Sequence, residues 1–177
     1  MSTKVITGEV RLSYTHLLEA SSSFEGQEPK FSTVILVPKT DKETIQKIEE
    51  AQKEALENGK SSKFNGKIPA NWKNTFRDGD EEADLGKNPE YAGHMFMSVS
   101  SKTRPGIVDE SLQPVMDADQ VYSGVYARVS INAFPFSASG NKGVSFGLNN
   151  VMVLGKGDRL AGGASAEDDF ADFASVL

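Results

Sequence analysis

A mainly β fold carrying one added helix is what the 177 residues predict, on three observations. Apolar side chains alternate at period two in five separate segments, as half-buried strands require, because successive residues point to opposite faces. One segment alone has helical spacing. No pattern recurs at the 20 to 50 residues of a repeat array. With 38% hydrophobic and 25% charged residues, the sequence describes one globular domain over 1–160 and a disordered acidic tail over 161–177.

The first strand is read at Val10-Arg11-Leu12-Ser13-Tyr14, whose apolar residues share a face. Phe31 to Val37 is a β-branched run that Pro38 ends, since proline has no N–H to give to a ladder. The helix comes next. Thr40-Asp41-Lys42-Glu43 has capping-box spacing, and Ile45, Ile48, Gln52, Ala55 and Leu56 continue at 3.6 spacing. Glu43/Lys47 and Glu49/Lys53 are supporting pairs, and Gly59 suits the position after the last turn. This predicts a surface helix over 41–58 that covers a sheet. Lys60 to Lys67 reads as a basic loop. His94 to Ser100 gives the third strand, Tyr122 to Phe136 a long fourth and Val144 to Leu154 the fifth.

Several chemistries are excluded. The chain has no cysteine, so disulfides, thiolate nucleophiles and Cys-ligated metal centres are ruled out, and a reducing, cytoplasmic setting is expected. The first thirty residues hold no apolar run behind a basic start, and no stretch approaches a membrane span. His16 and His94 lie far apart, beside no Ser/Asp arrangement that suggests a nucleophile. Neither GxxxxGK[ST] nor GxGxxG occurs. No catalytic residue and no cofactor are expected. The carboxylates from Asp78 to Asp84 raise a metal question, since clustered acids bind Mg²⁺ or Ca²⁺ in two-metal nucleases. They lack the order of an EF-hand loop, and a solvated acidic loop without metal is the reading taken.

Net charge is −6, which at first sight opposes a polyanionic partner. The distribution changes that inference. Six acids fall between Asp78 and Glu90 and four in 161–177, and outside those two segments 18 bases face 15 acids.

The fourth strand is the most informative segment. Val125, Ala127, Val129, Ile131 and Ala133 form a core stripe, while the other face carries Tyr122, Tyr126, Arg128, Ser130, Asn132, Phe134 and Phe136. A solvated face seldom lines up Tyr, Arg and Phe. Flat rings stack on unpaired bases at about 1–3 kcal/mol each, and Arg neutralises a phosphate or stacks itself. The alternative is that the helix or long loops cover this face. Residues 64 to 77 interleave Phe64, Lys67, Trp72, Lys73, Phe76 and Arg77, which suits a single strand whose backbone charge and base faces must both be met. As the one Trp of the chain, Trp72 equally suits a core anchor. Pro105 holds Arg104 extended, either as a rim contact to phosphate or as a solvated loop residue. In the tail, Asp168, Asp169 and Asp172 alternate with Phe170 and Phe173, the form of a partner-docking motif whose acids can compete with nucleic acid for a basic groove.

Trp72-Lys73 with Arg77-Asp78-Gly79-Asp80, Arg104-Pro105, Tyr122-Ser123-Gly124 and Gly143-Val144-Ser145-Phe146-Gly147-Leu148-Asn149-Asn150-Val151 together resemble the single-stranded DNA-binding proteins of tailed bacteriophages. The resemblance implies an OB-fold-like five-stranded barrel and sequence-tolerant, non-catalytic binding of single-stranded DNA in phage replication or recombination, inside the infected bacterial cell. It also implies replication or recombination partners docking on the tail. The helix follows the second strand here, whereas the usual OB barrel places it between the third and fourth, so a decorated barrel is expected. Two rival readings remain: an assembly protein of β-sandwich form whose aromatic face is an oligomer interface, and a metal-dependent nuclease using the acidic loop.

Overall fold

The computed structural model describes residues 3–22, 26, 28–138, 140–158 and 160. The tail residues Asp168, Asp169, Phe170, Asp172 and Phe173 lie outside the described residues.

Among the described residues nine strands form one sheet around a single main helix. They are β1 (Lys4–Ile6), β2 (Val10–Ser21), β3 (Lys30–Pro38), β4 (Lys73–Asn74), β5 (Arg77–Asp78), β6 (His94–Ser101), β7 (Gly106–Val108), β8 (Tyr126–Ala138) and β9 (Asn141–Gly155). Five of them close a ring. β2 pairs β3, β3 pairs β6, β6 meets β9 in parallel at Ser100↔Gly147, β9 pairs β8 and β8 returns to β2. These are the five strands expected from the alternation. β2 pairs β3 along one edge and β8 along the other at Val10 and Arg11, and its register with β3 shifts after Ser13, where Tyr14 takes φ 46 and the chain kinks as a bulge. The short strands fill gaps: β1 lies on β8, β7 on β9, β4 on the start of β9, and β5 on the start of β6.

Helix α1 (Lys42–Gly59) follows the second strand of the ring, as expected. Its cap differs by one residue. Asp41 takes the N-cap and accepts from Thr44 N, while the Thr44 hydroxyl accepts from Gly8 N and so ties the helix to the chain entering β2. Ile48, Ala51, Ala55 and Leu56 bury against the β8 stripe, in the larger of the two apolar clusters among the described residues. Gly59 is the last helical residue rather than the one after it. A Cβ there would stand 2.5 Å from Pro135 Cβ, so close approach to β8 is what requires glycine.

The fourth predicted strand starts later than its pattern suggested. Tyr122 to Val125 is a turn in which Val125 N donates to Tyr122 O and Gly124 takes φ 116. The acidic segment is also more than a loop: a short helix α2 (Gly79–Glu82) and a 3-10 turn (Pro89–Tyr91) lie over the outside of β3 and β6, where Tyr91 and Phe96 pack with Leu36. Among the described residues no helix is long and apolar enough to cross a membrane.

Candidate nucleic-acid interface

Strand alternation divides the predicted β8 residues as the sequence required. Val125, Ala127, Val129, Ile131 and Ala133 are all at most 2% exposed, whereas Phe134 is 41% exposed and Arg128 is exposed. Ten residues separate Tyr126 from Phe136, about 33 Å at 3.3 Å per residue, so this face offers several local environments rather than one site.

At its far end, β9 supplies Gly143, Ser145 and Gly147 opposite Phe136, Phe134 and Asn132. Lys73 of β4 pairs with Gly143 from the other side, and a Cβ on Gly143 would lie 2.2 Å from the Lys73 carbonyl oxygen. Only glycine lets β4 approach that closely. Phe136 and Lys73 therefore flank one bare residue, and the Phe134 ring lies 3.9 Å from where a Gly147 Cβ would be. Arg77, on β5, pairs with Phe96, and its guanidinium stacks 4.6 Å from the Phe96 ring centroid. Phe96 faces outward with Leu36 and Tyr91, so Arg77 stands on the outer face as well. Lys73, Arg77, Phe134 and Phe136 thus share one outer region.

Small polar residues continue it. His16, Ser32, Ser100, Gly147 and Asn132 form a register row across β2, β3, β6, β9 and β8. At about 4.8 Å between strands the row spans about 19 Å. Each of these residues neighbours a buried inward one, such as Leu17, Thr33, Val99, Phe146 or Ala133, so the row faces outward. From Ser32 to Asn132 it is a track of small side chains, with the exposed His16 imidazole at its β2 end and Phe134 beside its β8 end.

The other predicted residues stand elsewhere. Trp72 is half-buried and packs against the main core, anchoring the segment that carries Lys73. Tyr122 does the same at the opposite end, its hydroxyl donating to Gly157 O at 2.7 Å and accepting from Gly157 N at 3.1 Å. Tyr126 lies under the Arg11 guanidinium, 5.4 Å from its ring centroid, and Arg11 also donates to Gly124 O and Asp158 O. Arg128 donates to Thr7 O and lines a shallow apolar pocket with Val108 and Met152. Arg104 sits over Phe31, 5.7 Å from the ring, beside an open groove of about 590 Å³ that Leu18, Met116 and His16 also line.

The strands of the outer region carry no acid: β3, β6, β8 and β9 contain no Asp or Glu, and Lys73 and Arg77 are the bases beside them, while Glu81, Glu82, Asp84 and Glu90 belong to the segment lying over β3 and β6. The acidic segment turns two of its carboxylates onto Lys39, whose ammonium lies 2.7 Å from both Asp78 and Asp80. Asp80 also accepts from Gly93 N. Hydrogen bonds from Lys39 hold both carboxyls below the usual range, and the two acids raise Lys39 in return. Among the described residues no group of three or more His, Cys, Asp or Glu side chains is placed to hold a metal ion.

Reading by motif missed the small-residue track. Its signal was the alternation of Gly143, Ser145 and Gly147 with Val144, Phe146 and Leu148, which pairs a buried face with a bare one. The acid-free blocks were a second signal, visible in the sequence before any fold.

Residues 3–176 match the model of a family described as Enterobacter phage Enc34, ssDNA-binding protein. Putative protein p50 of Acyrthosiphon pisum secondary endosymbiont phage 1 is 30% identical over 176 residues, covering 96% of this chain and 93% of the relative. Among solved structures, the single-stranded DNA-binding protein from bacteriophage Enc34 in complex with ssDNA is 25% identical with a TM-score of 0.75, over 90% of both chains. The fold alone is shared with gp2.5, a single-stranded DNA-binding protein encoded by bacteriophage T7. That match has a TM-score of 0.63 at 14% identity and covers 99% of this chain and 96% of the other.

Proposed function

We propose that this chain, which belongs to the phage family described as Enterobacter phage Enc34, ssDNA-binding protein, binds single-stranded DNA without catalysis and without base selectivity. The observation that carries the site is the outer region where Phe134 and Phe136 flank the small-residue track beside Lys73 and Arg77. A ring two-fifths exposed beside glycine leaves room for a base to lie flat on it, and every base has a face to offer. Lys73 and Arg77 lie within reach of the backbone of a strand so placed. Selectivity for single strands follows, because duplex pairing hides base faces inside the stack.

Roles along the rest of the surface divide by what each residue touches. Trp72 holds Lys73 in place, and Tyr122 holds the turn before β8. Arg128 and Tyr126 offer contacts farther along β8, and Arg104 a phosphate contact at the His16 end of the track. The tail residues Asp168, Asp169, Phe170, Asp172 and Phe173 form the docking segment for replication or recombination proteins, and their negative charge competes with DNA for the basic surface. The protein acts in phage DNA replication or recombination in the infected cell.

Fluorescence anisotropy with a labelled single strand, a duplex of the same length and both again in Mg²⁺ tests the reading. Binding to the single strand well above the duplex, with the strand left uncut, is expected. Equal affinity for the duplex contradicts stacking as the source of affinity, and Mg²⁺-dependent cleavage restores the nuclease reading.

A further inference from the structure

A second basic surface lies on the reverse of the β8–β9 ribbon. Pro135 stands between Phe134 and Phe136 and points the opposite way, toward the end of α1. There a Cβ on Gly59 would lie 2.5 Å from Pro135 Cβ and 3.0 Å from Phe64 Cε2, and Phe64 is itself buried. These contacts pin the start of the 60–67 loop against β8. The loop is internally braced: Lys63 N and Phe64 N donate to Gly59 O, Gly66 N to Lys60 O, and Lys67 N to Phe64 O. Asn65 and Gly66, at φ 56 and 88, close the turn. Lys60, Lys63 and Lys67 project from this braced frame, all exposed, and no acid occurs from Asn58 to Arg77.

Among the described residues the ribbon edge between the two surfaces is unpaired beyond Ala133. On its β1 side the last bond to β8 runs from Ala133 N to Thr3 O, and from Phe134 onward β8 pairs with β9 alone among the described residues. A polymer leaving Phe134 and Phe136 has only the thickness of one sheet layer, about 10 Å, to cross before it meets the lysines.

We propose that the 60–67 loop is a phosphate-contacting extension of the interface, and that a single strand leaving the aromatic end of the track wraps over this edge of β8 onto Lys60, Lys63 and Lys67. The inference rests on the single-strand reading given above. Its occupant is the continuing DNA backbone, since the surface is continuous with the track, carries charge and offers no exposed ring on which a base would stack. A braced loop holds its three charges in a fixed arc, so little ordering cost is met on binding.

The test uses the full chain with Lys60→Gln, Lys63→Gln and Lys67→Gln combined, and two oligo(dT) probes of about 6 and about 25 nucleotides, bracketing the site sizes of such folds. Three phosphate contacts at about 0.7 each give a salt slope shallower by about 2 for the variant on the long probe. Between 50 and 200 mM salt, wild type then loses roughly 20-fold more affinity than the variant. On the short probe the two agree within about twofold. An unchanged slope on the long probe overturns the proposal, and so does the same reduction on both probes, which makes the lysines part of the central track or of the general field. Wild-type protein that binds neither probe refutes the single-strand reading itself, a failure seen before the variant is compared.

Discussion

Phe134→Ala separates base stacking from folding better than any other single change. The ring is 41% exposed and its neighbour Ala133, on the opposite face, is 2% exposed. Full burial of such a side chain is worth about 1.5–3 kcal/mol, so removing one about three-fifths covered costs roughly 1–2 kcal/mol. For a chain of this length that lowers Tm by about 2–8 °C. A core ring behaves differently: Phe146, 2% exposed, costs about 3–5 kcal/mol when cut to Ala. Losing one stacked base costs about 1–3 kcal/mol of binding, a rise in Kd of about 5- to 150-fold. Anisotropy titration on oligo(dT), paired with a thermal melt, reads both. The reasoning is refuted by a variant that melts normally and binds as wild type, or by one that loses stability on the scale of Phe146→Ala.

Tyr122→Phe removes both hydrogen bonds to Gly157 and is expected to cost about 1–2 kcal/mol of stability with DNA affinity unchanged; lost affinity at unchanged Tm makes Tyr122 a contact instead. Lys73→Gln with Arg77→Gln lowers the salt slope on a single strand by about 1.4, checked by titration across salt, and an unchanged slope moves the backbone path elsewhere. The Lys39 cluster sets a pH dependence at both ends. Asp78 and Asp80 are depressed when folded, so their contribution is complete above the unfolded value near 3.8 and is lost as pH falls through the lower folded values. Lys39 is raised, as is the phenol of Tyr91, which burial pushes up, so their contributions are complete below about 10 and lost above it. Hydrogen exchange of the 79–93 segment checks this, with protection falling in acid for wild type and falling less in Lys39→Met, where the backbone bonds from Asp80 N to Asp78 and from Gly93 N to Asp80 remain.

The fold was legible where the signal is local. β8 alternates Val125 to Ala133 against a polar and aromatic face, and a residue's side of a strand follows from its parity, so the core stripe could be named from the sequence. α1 was legible by periodicity, although its cap was not: Thr40 and Asp41 both suit a first turn, and it is Asp41 that accepts from Thr44 N. The two-residue strands β4 and β5 carry no period at all. The aromatic and basic members of the proposed site, Phe134, Phe136, Lys73 and Arg77, can be named from the sequence, but their grouping depends on the parallel pairing of β4 with β9. The track was least visible, because His16, Ser32, Ser100, Asn132 and Gly147 meet only when five strands close a ring. Trp72 and Tyr122 show the converse: each packs against the main core as well as standing in a suggestive segment, and that packing depends on contacts the sequence does not display.

Ultraviolet crosslinking of the full chain to oligo(dT), followed by peptide mass spectrometry, tests the placement of the strand most directly. The account predicts adducts on Phe134 and Phe136 and within 72–77, competed away by unlabelled single strand. Adducts confined to the exposed Leu112 turn, with none on β8 or β4, contradict it.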